Sequence, residues 1–203
     1  WQQKISAHVE EKNQKFWKEY LSDYSWNATI PISVEIEEDA KANEFQFSWN
    51  DDFLESILQI AQSQNITLHT FLVTTFNMLM HKMYQHNDIC IGTVNSGRTL
   101  AELEKQIGMF VKTLPLRTTI DSEESVISIF AKTHKNLLAI DAHQDIPEAI
   151  QNELRLDVLI ALQTPSFNYE NVTITSELNL ELQHAESIYN RLPLLINFIQ
   201  GEK

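Results

Sequence analysis

Leu68-His69-Thr70-Phe71-Leu72-Val73-Thr74-Thr75-Phe76-Asn77-Met78-Leu79-Met80-His81-Lys82-Met83, followed closely by Asp88-Ile89-Cys90-Ile91-Gly92, sets the structural class of this 203-residue chain. In the first stretch Leu68, Phe71, Leu72, Thr75, Phe76, Leu79, Met80 and Met83 recur at three- and four-residue spacing, the period of an amphipathic helix. The second is a short apolar run closed by glycine, which reads as a buried strand. A stripe of Met and Phe at helical spacing reads as core rather than as the lining of a ligand channel. A helix delivering the chain straight into a buried strand argues for an α/β protein.

Upstream, residues 1–22 carry Ile5, Val9, Phe16, Trp17 and Leu21 on an imperfect helical stripe. Ser22 to Asn43 reads as a connection with one short strand, and the alternation in Phe45-Gln46-Phe47-Ser48-Trp49 predicts a half-buried strand. Asn50 then suits an N-cap, with Asp51 and Asp52 in the first turn and Phe53, Leu54, Ile57, Leu58 and Ala61 on one helical face. Downstream, Phe110 to Ile120 reads as a long strand in which Pro115 marks a bulge or an edge. A helix is expected over about 123–140, opened by a capping box of Asp121 and Glu124, with Val126, Ile129, Phe130, Thr133 and Leu137 facing inward. A shorter helix after His143, strands at Leu156–Gln163, at 172–174 and 178–182, and a last strand at Leu194–Ile199 complete the order. Helices and strands mix without strict alternation, so the sheet is expected to be mixed.

Composition narrows the function. Apolar residues make up 43%, ample for a core at this length. With 15 Lys plus Arg against 28 Asp plus Glu, the formal net charge is −13. That sign opposes nucleic-acid and anionic-membrane partners, both of which are bound through clustered cations. The lone Cys90 can build neither an internal disulfide nor a thiolate cage, which fits a reducing, cytoplasmic setting. Gly92-Thr93-Val94-Asn95-Ser96-Gly97-Arg98-Thr99 nearly spells a phosphate loop, but Arg98 stands where that loop needs lysine, and the stretch reads as a tight turn. Neither an HExxH pair nor a GxSxG elbow occurs, and His81 and His86 are spaced wrongly for one helical face. No metal or cofactor site is expected. The residues alone define an α/β domain without a self-contained catalytic constellation.

Ile107-Gly108-Met109-Phe110-Val111-Lys112-Thr113-Leu114-Pro115-Leu116-Arg117 resembles the IGxFVNTLPLR signature of condensation domains in nonribosomal peptide synthetases. Further likenesses run in the family's order. Trp1-Gln2 resembles the end of YxDYAxWQ, and Phe16-Trp17-Lys18-Glu19-Tyr20-Leu21 resembles YWKEQL. Thr67 to Leu72 and Asp88 to Arg98 match the helix, strand and turn before the signature. His143-Gln144-Asp145-Ile146-Pro147-Glu148 resembles HxxxPFE, and Asp157 to Gln163 resembles FDVLFALQN.

The resemblance implies one lobe of a chloramphenicol acetyltransferase-like fold: a two-layer mixed sheet with packed helices, residues 1–203 forming the C-terminal lobe without the N-terminal lobe and the last few elements. It implies a part in joining an acyl or peptidyl thioester to an aminoacyl amine, both carried on the phosphopantetheine of carrier proteins, with no cofactor bound directly. The family's HHxxxDG histidine would lie upstream of Trp1, so none of the seven histidines inherits a catalytic role and the chain alone is expected to be inactive. The expected partners are the other lobe, carrier proteins and adjacent synthetase domains, met across an exposed apolar face. Arg98, Met109, Phe110, Lys112, Thr113 and Arg117 are the candidates for substrate tunnel or lobe interface; Lys112 and Arg98 are the polar ones, and His143 reads as structural. Two departures, Lys112 for the signature asparagine and Glu148 directly after Pro147, leave a divergent condensation domain and a recognition module without catalysis both open.

Overall fold

The structure, a computed structural model, describes residues 2–26, 29–30, 43–98, 101–103, 106–163, 172–175, 178–180 and 192–200. Helices α1 (Gln2–Tyr20), α2 (Asp51–Ser63) and α3 (Leu68–Tyr84) precede strand β1 (Asp88–Asn95). A single 3-10 turn (Ala101–Leu103) leads to β2 (Lys112–Thr119), α4 (Val126–Ala142), α5 (Glu148–Gln151) and β3 (Val158–Gln163). β4 (Val172–Thr175), β5 (Leu178–Leu180) and β6 (Leu194–Ile199) follow. The main sheet runs β2-β1-β3-β6 and is mixed: β1 and β2 are antiparallel, whereas β1–β3 and β3–β6 are parallel. β4 and β5 form a separate antiparallel pair.

Strand parity divides the sheet into two unlike faces. Ile89 and Ile91 of β1, Leu114 and Leu116 of β2, and Val158 and Ile160 of β3 share one face, and all lie in a single buried cluster. Helices add Trp17 of α1, Val73 and Met80 of α3, Ile129 and Ile140 of α4, and Ile150 of α5, and Ile120 just after β2 completes the cluster. On the opposite face Val94, Thr113, Gln163, Leu195, Asn197 and Ile199 are exposed. Gly92 sits at the centre of this second face, where an added Cβ would stand 2.8 Å from Leu159 Cδ1 and 3.3 Å from Thr113 Cγ2.

Several expectations shift for physical reasons. The alternating segment Phe45–Trp49 is not a strand: residues 43–50 are irregular and exposed, with Phe45 at 89% and Phe47 at 75%. The aromatic rings pack on one another instead, Trp49 lying 5.6 Å from Phe47, 5.5 Å from Phe53 and 5.9 Å from Phe198. α3 buries Leu72 and Met80 of the expected stripe, but Thr70, Val73, Thr74 and Asn77 are buried beside them while Leu79 and Met83 face outward. Thr74 Oγ1 donates to the Thr70 carbonyl and Asn77 Nδ2 to Thr118 Oγ1, while the buried Asn77 Oδ1 has no partner among the described residues, so apolarity alone misses part of the face. α2 buries only Ile57 and Ala61 of its stripe, capped by Asn50 as expected. α4 starts at Val126 because Ser125, not the Asp121–Glu124 pair, accepts the orphan N–H of Ser128. Pro115 does sit on an edge strand, but in continuous register with Gly92 and without a bulge. The short strand expected between Ser22 and Asn43 falls in a stretch of which 27–28 and 31–42 lie outside the described residues, as do residues 181 and 182.

The buried face predicts an asymmetric response to substitution. Ile160→Ala should cost about 2–5 kcal/mol in urea denaturation, as cavity-forming changes in close-packed cores do. Phe47→Ser, which removes an exposed ring, should stay within about 0.5 kcal/mol of the parent.

Candidate functional site

The β1–β2 ladder pairs Asp88 with Thr119 at one end and Asn95 with Lys112 at the other. From the second end a loop (96–111) leaves the sheet and returns, and its geometry comes from one glycine and one arginine. Gly97 has φ +67°, and a Cβ there would meet the Phe110 carbonyl oxygen at 1.7 Å, so only glycine lets the two stems approach. Arg98 donates to the carbonyls of Leu103, of Gln106 at 2.9 Å and of Gly108 at 3.4 Å, and its guanidinium lies 4.6 Å from the Phe110 ring centre. The side chain that would have met a phosphate is therefore committed to backbone oxygens of its own loop. Held this way, the loop presents Ile107 (104% exposed) and Met109 (93%) to solvent beside exposed Val111.

Asn95 and Lys112 end their strands as direct neighbours, and both reach the carboxyl end of α4. Asn95 Nδ2 donates to Asp141 while its Oδ1 accepts the Gly97 N–H at 2.7 Å, and Lys112 Nζ pairs with Asp145. The segment bearing these aspartates is fixed from the other side by α1. His143 stacks on Phe16 at 4.0 Å between ring centres, and its carbonyl accepts the Trp17 indole N–H at 2.8 Å. His143 Nδ1 lies 2.9 Å from the Ala139 carbonyl, so this histidine is a structural part of the α4 terminus, as expected.

Arg117 lies five residues from Lys112 on β2, roughly 16 Å at the rise of a strand. Its Nε and Nη2 grip the Asp88 carboxylate at 2.9 and 2.7 Å, and Nη1 donates to the carbonyls of Tyr20 and Ser22 at 3.1 and 2.7 Å. Those carbonyls end α1, so the guanidinium caps a helix and ties it to two strands at once. The Tyr20 hydroxyl accepts the Arg117 N–H at 2.9 Å and donates to its carbonyl at 3.1 Å, closing the edge of β2. Tyr24 does the same for β1, accepting the Cys90 N–H at 3.1 Å, and the Arg117 guanidinium lies 5.3 Å from its ring centre. Burial pushes both phenols and the Cys90 thiol well above their ordinary pKa values, so none is an acid or nucleophile near neutrality.

The six candidate residues thus separate. Arg98, Met109, Phe110, Lys112 and Thr113 gather at the loop end of the ladder, while Arg117 belongs to a structural hub at the other end. Asn95, Asp141 and Asp145, which complete the rim, carry no motif signal in the sequence; only the fold brings them to the loop stems. Among the described residues no group of three or more His, Cys, Asp or Glu could hold a metal ion, and no helix is long and apolar enough to cross a membrane.

The model of the condensation domain matches residues 1–199. The chain belongs to the condensation domain family. Gramicidin S synthase 2 of Brevibacillus brevis is 31% identical over 150 residues, covering 70% of this chain and 3% of that protein. Surfactin synthase subunit 1 of Bacillus subtilis (strain 168) is 25% identical over 204 residues, covering 90% of this chain and 5% of that protein. Among solved structures, the X-domain in complex with OxyB from teicoplanin biosynthesis has a TM-score of 0.75 at 15% identity, covering 96% of this chain and 44% of that chain. The first condensation domain of the calcium-dependent antibiotic synthetase has a TM-score of 0.67 at 14% identity, covering 88% of this chain and 42% of that chain. The expected fold, chloramphenicol acetyltransferase-like with a mixed sheet, is the one observed. In this condensation-family chain the exposed residues of the second sheet face lie beside the apolar loop, Thr113 and Val94 on that face being one pair inward from the rim pair Asn95–Lys112.

Two measurements check this geometry. Arg117→Met should cost about 2–3 kcal/mol in chemical denaturation through lost charge-assisted bonds, and Arg117→Lys should recover only part of it because ammonium lacks the planar fork. His69 has its Nε2 2.7 Å from Thr93 Oγ1 and its buried Nδ1 unpartnered, and burial lowers its pKa below the ordinary 6.5. The unfolded chain then takes up the proton more readily than the folded one. The stability at stake is complete above about pH 6.5 and is lost as the pH falls through that value toward the folded pKa. His69→Gln should flatten the dependence of stability on pH between about 7.5 and 5.

Proposed function

We propose that the chain is the C-terminal lobe of a two-lobe condensation domain that forms amide bonds in a nonribosomal peptide synthetase. The observation that carries this reading is a family match over 1–199, joined by exposed apolar residues on the second face of the sheet, in a chain that covers 42% of a solved condensation domain. Val94, Leu195 and Ile199 are exposed on that face, and Ile107 and Met109 beside it. Exposed apolar side chains gathered on one side suit an interaction surface, and in this reading a second lobe covers them. Met109, Phe110, Thr113 and the rim around Arg98 and Lys112 would then form tunnel wall and lobe interface. Arg117 would contribute by holding α1 to the sheet.

In the reaction, the amine of a carrier-bound aminoacyl group attacks a carrier-bound acyl or peptidyl thioester. A C–N bond forms, the C–S bond breaks, and the amine's proton ends on the departing phosphopantetheine thiol. Positioning and proton handling of this kind need a group within hydrogen-bond reach of the amine. In this reading the histidine of HHxxxDG in the preceding lobe supplies it, while this lobe supplies wall and carrier docking surface and binds no cofactor of its own. Lys112 in place of the signature asparagine favours a second reading, a recognition module that holds carrier-bound substrates without joining them.

Incubating the chain with donor- and acceptor-loaded carrier proteins should give no dipeptide, and fusing it to a lobe carrying HHxxxDG should restore amide formation. Turnover by the chain alone sinks the first reading; a fused domain that binds loaded carriers yet makes no amide supports the second.

A further inference from the structure

We propose that Lys112 is a positioning residue that sets the stem of the 96–111 loop through Asp145, not a residue that touches substrate. The inference deepens the proposed function, resting on it only for the statement that this loop meets the other lobe. Both stems of the loop are tied to one short segment. Asn95 reaches Asp141 and Lys112 reaches Asp145, while Asn95 Oδ1 takes the Gly97 N–H at 2.7 Å and so fixes the first turn of the loop. The segment 141–145 is in turn anchored to α1 by Phe16 and Trp17 through His143. The clasp therefore connects Ile107 and Met109, the most exposed large apolar residues among those described, to the core by a route separate from the sheet.

Charge reinforces the assignment. A free ammonium at the rim would offer a cation to any carboxylate or phosphate brought there, but Lys112 is matched by Asp145, and Arg98 is matched by three carbonyls. An ion pair this exposed adds little to global stability. Its effect falls on the local opening of 106–111, which is exposed apart from half-buried Phe110.

Amide hydrogen exchange across 106–111 tests the clasp, using this chain with Lys112→Met, with Asp145→Asn, and with the reversed pair Lys112→Asp plus Asp145→Lys. Each single substitution should speed exchange at 107–111 by about threefold or more while the melting temperature stays within about 2 °C. The reversed pair should return exchange to the parent rate, and high salt should erase the difference between parent and single variants. Unchanged exchange in both single variants, or a reversed pair as fast as the singles, overturns the proposal. If Lys112→Met alone lowers the melting temperature, the exposed Asp145→Asn with its reversal carries the test. Failure of a complete two-lobe domain to form amides would sink the proposed function and leave these exchange rates as expected, so the two ideas fail separately.

Discussion

The two-sided parity of β1 is the constraint from which the molecule is built. Ile89 and Ile91 enter the helix-packed core, so Cys90, Gly92 and Val94 must face the other way. Toward Val94 and Thr113 that second face is exposed among the described residues. At its lower end Tyr24 and Thr29 take over, bonding the Cys90 N–H and carbonyl where β3 has not yet begun. The same alternation fixes what β2 and β3 can do. Thr113 and Leu159 surround Gly92 so closely that a side chain there would displace one of them. One strand thus separates the helix-packed core from the side of the sheet that carries the exposed residues Val94 and Thr113.

Arg117 shows how a motif residue can be decisive without touching chemistry. The fork holds Asp88 on β1, the end of α1 and the ring of Tyr24, and its backbone is held by Tyr20. Five donors in a fixed plane suit a junction of three elements in a way that a single ammonium does not. Arg98 repeats the principle at loop scale, binding the carbonyls of a stretch too short to make its own regular hydrogen bonds. In both cases the cation replaces backbone partners that secondary structure does not supply.

Much of this architecture was legible in the residues. The α3 stripe, the apolar run of β1, the Asn50 cap and the FVKTLPLR stretch each carry a local signal that survives folding. What the residues could not convey was tertiary. Phe45–Trp49 alternates as a strand should, but alternation is silent on whether a partner strand lies alongside, and here the rings pack on Phe198 instead. Part of the inward face of α3 was missed because Thr70, Thr74 and Asn77 are polar by composition yet make hydrogen bonds once buried. The rim of the candidate site was half visible: Lys112 stands in a motif, whereas Asp141 and Asp145 become its neighbours only when α4 ends beside the ladder.

Charge then settles how the rim can recognise anything. The chain carries a formal net charge of −13, and among the described residues the cations near the loop and strand ends are engaged: Arg117 with Asp88, Lys112 with Asp145, Arg98 with carbonyls, Lys132 with Glu124. These paired cations do little to steer an anionic partner over distance. The exposed groups at the rim are Ile107, Met109 and Val111, and next to them lies a sheet face bearing Val94, Leu195 and Ile199. Contact at this surface is therefore governed by apolar burial, which is short-ranged, insensitive to salt and proportional to the area covered. In the proposed function a complementary face is held close by a covalent link, which raises its effective concentration and favours such a contact.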